Sequence, residues 1–75
     1  MRRAYLCSGI VRGILLRRNI SQNNLAQRLG ISSAYCSQLL AGKRCPSPAL
    51  RERIQLELHA EFDLLFVIVD EASGV

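Results

Sequence analysis

The sequence predicts an all-α domain: a compact set of four to five short helices followed by a short apolar C-terminal tail. Three observations carry that expectation. Apolar residues recur at helical spacing from Leu6 to Leu58. Three segments open on a serine suited to capping, Ser21, Ser32 and Ser47, and two of them close on a glycine, Gly30 and Gly42. A chain of 75 residues, 49% of them hydrophobic, has the size and composition of one folded domain rather than a disordered segment.

Residues 1–5, Met-Arg-Arg-Ala-Tyr, read as a basic leader with no structural signal of its own. A first helix is expected from near Leu6, on a stripe of Leu6, Ile10 and Ile14 flanked by Cys7, Val11 and Leu15. Arg12, Arg17 and Arg18 fall off that stripe. Gly9 and Gly13 each weaken this helix by about 1 kcal/mol relative to alanine, so it depends on packing. Asn19 tolerates the left-handed conformation that ends a helix, and Ile20 can staple onto Leu25 across the next helix start.

Residues 21–43 are the most informative stretch. A helix capped by Ser21 would bury Leu25, Ala26 and Leu29 and turn at Gly30. A second, capped by Ser32, would bury Cys36, Leu39 and Leu40 and stop at Gly42. After the basic loop Lys43-Arg44-Cys45-Pro46, Ser47 and Pro48 start a helix to about Leu58 that buries Leu50, Ile54 and Leu58. Beyond it, Asp63 could cap one further helical turn carrying Leu65 and Phe66. The β-branched run Val67-Ile68-Val69 then favours a short strand, with a continuous helix to Ala72 as the alternative. Such a strand would expose an edge and is expected to pair with a second copy. The organisation expected is thus a leader (1–5), a domain (6–66) and a tail (67–75).

Charge is segregated along the chain. Residues 1–53 hold all ten basic side chains and a single acid, Glu52; the other acids, Glu57, Glu61, Asp63, Asp70 and Glu71, lie beyond them. A basic body with an acidic end points to a polyanion bound by the body. Cys7, Cys36 and Cys45 have no C-x-x-C spacing and, with His59 alone beside them, make no zinc set, so no metal or cofactor is expected. No Ser/His/Asp grouping indicates catalysis. The apolar run Leu64–Val69 is too short to span a bilayer, and free thiols without a convincing secretory signal fit the cytoplasm.

The spacing of Gln22, Ala26, Gly30, Ile31, Cys36 and Leu39 resembles the helix-turn-helix of the phage-repressor/Cro-type (Xre-like, lambda-repressor-like) DNA-binding family. In that pattern a small residue stands where the helices cross, glycine makes the turn, and an aliphatic residue plugs their angle. Cys36 is a mild departure, because relatives usually carry Ile or Val there. The resemblance covers roughly residues 6–66, and AGKR and PSPALRERIQLEL fit it as well. It implies double-stranded DNA as the partner, with the second motif helix, Ser33–Leu40, in the major groove.

With Cys36, Leu39 and Leu40 inward, Ser33, Ala34, Tyr35, Ser37 and Gln38 are the expected base contacts. Gln38 has the amide for a bidentate contact to adenine. Arg17, Arg18, Gln22, Asn23, Lys43 and Arg44 are the expected phosphate contacts. Family members often tie the first helix to the recognition helix with an Arg–Glu pair. The corresponding positions here are Leu15 and Leu40, an apolar tether that avoids desolvating two charges. The resemblance further implies a homodimeric transcription regulator, a repressor, on a near-palindromic operator. Phe62, Leu65, Phe66, Val67, Ile68 and Val69 are the expected dimer surface. The alternative is a protein-binding module, antitoxin-like or polymerase-binding, acting through the acidic, apolar tail.

Overall fold

The computed structural model describes residues 1–70 of the chain. In order it contains β1 (Arg2–Leu6), α1 (Ser8–Arg18), α2 (Gln22–Leu29), α3 (Ser33–Leu40), α4 (Pro48–Leu58), α5 (Phe62–Leu65) and β2 (Phe66–Asp70). Five helices are present, the upper end of the expected four to five, and the three serine caps act. Asp63 does not cap, because α5 already starts at Phe62 and ends at Leu65, which leaves Phe66 to β2. Ser21, Ser32 and Ser47 each accept a hydrogen bond from the backbone N–H three residues on, at 3.0, 3.0 and 3.2 Å. Pro48 occupies the first turn of α4, where its missing N–H costs nothing. Asn19, Gly30 and Gly42 all take positive φ, as their positions at helix ends require.

The principal departure lies at the two ends of the chain. The leader is strand β1, and it pairs antiparallel with β2 in the register Arg2↔Asp70, Ala4↔Ile68, Leu6↔Phe66. The tail strand therefore finds its partner in its own chain, not in a second copy. Directly opposed residues share a face, so Ala4, Leu6 and Phe66 turn inward together and are buried. Val67, Ile68 and Val69 are extended, as their branching favours, and the continuous helix to Ala72 is excluded up to Asp70. The final part of the tail, residues 71–75, lies outside the described residues.

The second departure is the phase of α1. The helix begins at Ser8, and its buried residues are Val11 and Leu15, while Ile10 is 38% exposed and Ile14 half-buried. A one-residue change of stripe rotates the helix by about 100°. Leu6 still reaches the core, but from β1.

One apolar core joins all the elements: Val11 and Leu15 of α1, Leu25, Ala26 and Leu29 of α2, Cys36, Leu39 and Leu40 of α3, Leu50, Ile54 and Leu58 of α4, and Leu65 and Phe66. Leu15 and Leu40, the expected apolar tether, are both buried in it. A polar tie accompanies them, because the Ser8 hydroxyl donates to the Leu40 carbonyl at the end of α3. Where α5 meets β2, the Cys7 N–H donates to the Leu65 carbonyl at 2.7 Å and locks the ribbon's base to the start of α1.

Candidate nucleic-acid interface

The α2–turn–α3 unit is built from local signals. The Gly30 N–H bonds back to Gln27 and the Ile31 N–H to Ala26, closing α2 through a left-handed residue. Gly30 sits at φ 70, a conformation that favours glycine, and the Arg53 guanidinium lies 3.2 Å from where a Cβ would stand. Across the unit, the Cys36 thiol points at the Gln22 carbonyl, 3.8 Å away. Burial pushes the Cys36 thiol up from its ordinary pKa, and the positive charge of Arg12 acts in the opposite direction. This thiol is a core group facing α2.

With Cys36, Leu39 and Leu40 inward, α3 turns Ser33, Ala34, Ser37 and Gln38 to solvent. At about 100° per residue, Ala34 and Gln38 lie opposite the buried side and Ser33 and Ser37 on one shoulder. Tyr35 sits on the other shoulder and is half-buried, with the Arg44 guanidinium 5.9 Å from its ring centre. Four of the five expected base contacts thus share an open face, and the fifth forms its wall.

The expected phosphate contacts separate into two groups. Gln22 and Asn23 stand in the first turn of α2, which lacks acidic residues, and Lys43 and Arg44 are exposed just beyond α3. These four belong to the α2–α3 unit. Arg18 does not. Its guanidinium donates to the carbonyls of Glu57 and Leu58 at 3.2 and 2.9 Å. α4 ends on His59 at φ 51 rather than on glycine, and Arg18 satisfies carbonyls that its last turn leaves open. Arg17 lies at the same end, in a groove with Ile14, Leu58, His59 and Leu64. Arg17 and Arg18 thus stand at the α4–α5 end of α1, away from the α2–α3 unit.

The rotation of α1 brings Arg12 to the motif. It lines a shallow groove with Leu15, Leu16, Ile20 and Gln22, beside the start of α2. In the sequence Arg12 does no more than fall off the apolar stripe of the first helix. The signal that would have found it was the Val11–Leu15 pair, four residues apart, taken as the buried stripe in place of Ile10–Ile14. Other basic residues are held in the scaffold: Arg28 bonds Asn24 at 2.6 Å and approaches Glu57 at 3.7 Å, and Arg53 packs over Gly30.

The expected dimer surface is also divided. Leu65 and Phe66 are buried in the chain's own core, and Phe62 is half-buried with its ring centre 5.0 Å from that of Phe66. Leu65 and Phe66 are withdrawn from the surface because α5 packs between α1, α4 and the ribbon, whereas Phe62 stays partly open and lines a groove. Val67, Ile68 and Val69 remain exposed, by 51, 57 and 39%.

Among the described residues, no cluster of three or more His, Cys, Asp or Glu side chains could hold a metal ion, and no helix is long and apolar enough to cross a membrane. A helix-turn-helix family model matches residues 11–56, more than half of the chain. No curated protein and no solved structure matches.

Proposed function

The chain belongs to the Xre/lambda-repressor-like helix-turn-helix family, a family of DNA-binding regulators, and from that premise we propose that it is a homodimeric repressor reading a near-palindromic operator. The observation that carries this reading is the outward face of α3, with Ser33, Ala34, Ser37 and Gln38 exposed together between two basic banks. One bank is the first turn of α2, with Gln22, Asn23 and Arg12. The other is the loop after α3, with Lys43 and Arg44. A major groove that admits α3 presents a phosphate strand to each bank.

Gln38 is the side chain with the chemistry for a bidentate contact to adenine, and Ala34 beside it suits a thymine methyl. No arginine or lysine stands on this face to grip guanine. Base discrimination is therefore modest, and phosphate contacts supply most of the affinity.

Duplex binding measured against salt is expected to fall steeply, as several counterions are released. Replacing Gln38 by alanine should cost about 1–3 kcal/mol on the preferred site and relax one base position. An equal loss on every sequence would reassign Gln38 to the backbone, and salt-independent or absent duplex binding would remove the reading altogether.

The second copy is assigned to the β2 side of the ribbon. Val67, Ile68 and Val69 form an exposed apolar run on a two-stranded ribbon, an element that is marginal without further packing. The opposite strand carries Arg2 and Arg3, charges that discourage edge pairing there. A dimer would set two recognition helices on half-sites about one helical turn apart, ~34 Å. Val67→Lys is expected to give a monomer by sedimentation while thermal stability holds, since Val67 is 51% exposed already. A dimer that persists in this variant would move the interface to the helices.

A further inference from the structure

We propose that the β ribbon is a second DNA-contacting element, in which the basic strand β1, led by Arg2, holds the phosphate backbone along the Tyr35 shoulder of α3. The proposal rests on the DNA-binding reading above and extends its footprint beyond the α2–α3 unit. Its starting point is a placement that the sequence does not announce, because β1 packs against α3.

Between the ribbon and the start of α4 runs an open groove of about 510 Å³, whose walls include Arg2, Arg3, Tyr35, Pro46, Arg51 and Ile68. Among the described residues, no acidic side chain lines it. Arg51 is fixed there, donating to the Pro46 carbonyl at 3.0 Å with its guanidinium 6.0 Å from the Phe62 ring centre. Arg44 approaches Tyr35 as well. Arg2 and Arg51 therefore line one groove with Tyr35, and the Arg44 guanidinium meets the Tyr35 ring, which gathers basic residues on one flank of the recognition helix. Like charges gathered in this way repel one another, and a polyanion laid along the groove reverses the sign of that energy.

The geometry favours the DNA backbone as that polyanion. When α3 enters the major groove, phosphate strands must pass along both of its flanks. The first turn of α2 meets one strand, and the Tyr35 flank with Arg44 meets the other. The ribbon adjoins this second bank, since β1 packs against α3 and Arg2 and Tyr35 line one groove. Its one described carboxylate, Asp70, lies opposite Arg2 in the ladder and 3.7 Å from the Met1 amine. That group offsets part of the charge at the ribbon's tip but lies outside the groove lining. Phosphate contact uses the face that carries Arg2, Ala4 and Ile68, while Val67 and Val69 alternate to the opposite face and serve the second copy, so the two roles do not compete for the same surface.

The test compares full-length variants by fluorescence anisotropy on duplexes of different sequence, over a range of salt. Arg2→Gln is expected to weaken every duplex by roughly three- to fivefold at low salt and to lower the slope of log K against log salt by about 1, the signature of one lost phosphate contact. Arg2→Lys should retain most of the affinity. Arg17→Gln removes the same charge at the α4–α5 end and should change binding little. Asp70→Asn, which leaves β1 intact, should tighten binding by about twofold through relief of the opposing charge. It keeps the test decisive even where Arg2→Gln unsettles the ribbon. If wild type binds duplex while Arg2→Gln matches Arg17→Gln and Asp70→Asn has no effect, the ribbon is not a DNA contact. If wild type shows no salt-dependent duplex binding, the DNA-binding reading itself has failed.

Discussion

Replacing Leu65 by alanine is expected to destabilise the folded chain by about 2–5 kcal/mol, the range for truncating a fully buried leucine. Leu65 is 0% exposed and sits at the junction where α1, α5 and the ribbon meet. Its carbonyl accepts the Cys7 N–H, so a cavity there also loosens the bond that fixes the ribbon to α1. Domains are held by only about 5–15 kcal/mol, and a chain this small belongs near the bottom of that range. The variant should therefore show a large fall in urea midpoint or thermal transition. A residue placed at a dimer surface behaves differently, shifting the sedimentation coefficient while the isolated fold keeps its stability. An unchanged unfolding transition in Leu65→Ala would return Leu65 to the interface that its apolar run first suggests.

Removing residues 1–5 is the second large effect, with about 2–4 kcal/mol expected from lost ladder hydrogen bonds and apolar burial. A basic leader without structure could be cut at no cost to the fold. Here the cut takes away the only ladder partner of β2 among the described residues, together with the buried Ala4. Of β1 only Leu6, opposite Phe66, would remain, and β2 would present two open edges along Val67, Ile68 and Val69. The truncated chain should unfold at lower urea and aggregate more readily than wild type. An unchanged midpoint would show that β1 contributes nothing to the fold. Truncation also deletes Arg2 and Arg3, so DNA affinity in this variant mixes two causes, and the single substitution Arg2→Gln is needed to separate them.

How much of this molecule was legible in advance follows from the range of the interactions involved. The caps at Ser21, Ser32 and Ser47 and the left-handed ends at Asn19, Gly30 and Gly42 are set within three or four residues, so the letters alone place them. The same holds for the buried faces of α2, α3 and α4, whose apolar spacing admits one phase. α1 is different. Ile10, Val11, Ile14 and Leu15 offer two stripes one residue apart, and Gly9 and Gly13 add no side chain to choose between them. Packing chose Val11 and Leu15, and that choice exchanged Arg17 and Arg18 for Arg12 beside the recognition unit.

By itself the sequence determined the helix-turn-helix, its caps, its outward residues Ser33, Ala34, Ser37 and Gln38, and the basic character of the surface around it. These depend on local hydrogen bonds and helical period, which near neighbours dictate. Only the tertiary structure decided that the leader is a strand, that Leu65 and Phe66 belong to the core, that Arg18 closes α4, and that Arg2 stands beside Tyr35. Each of these joins residues some 30 to 70 positions apart. Contacts at that separation leave no periodic trace in a single chain, because they form only once the helices have packed and brought the two ends together.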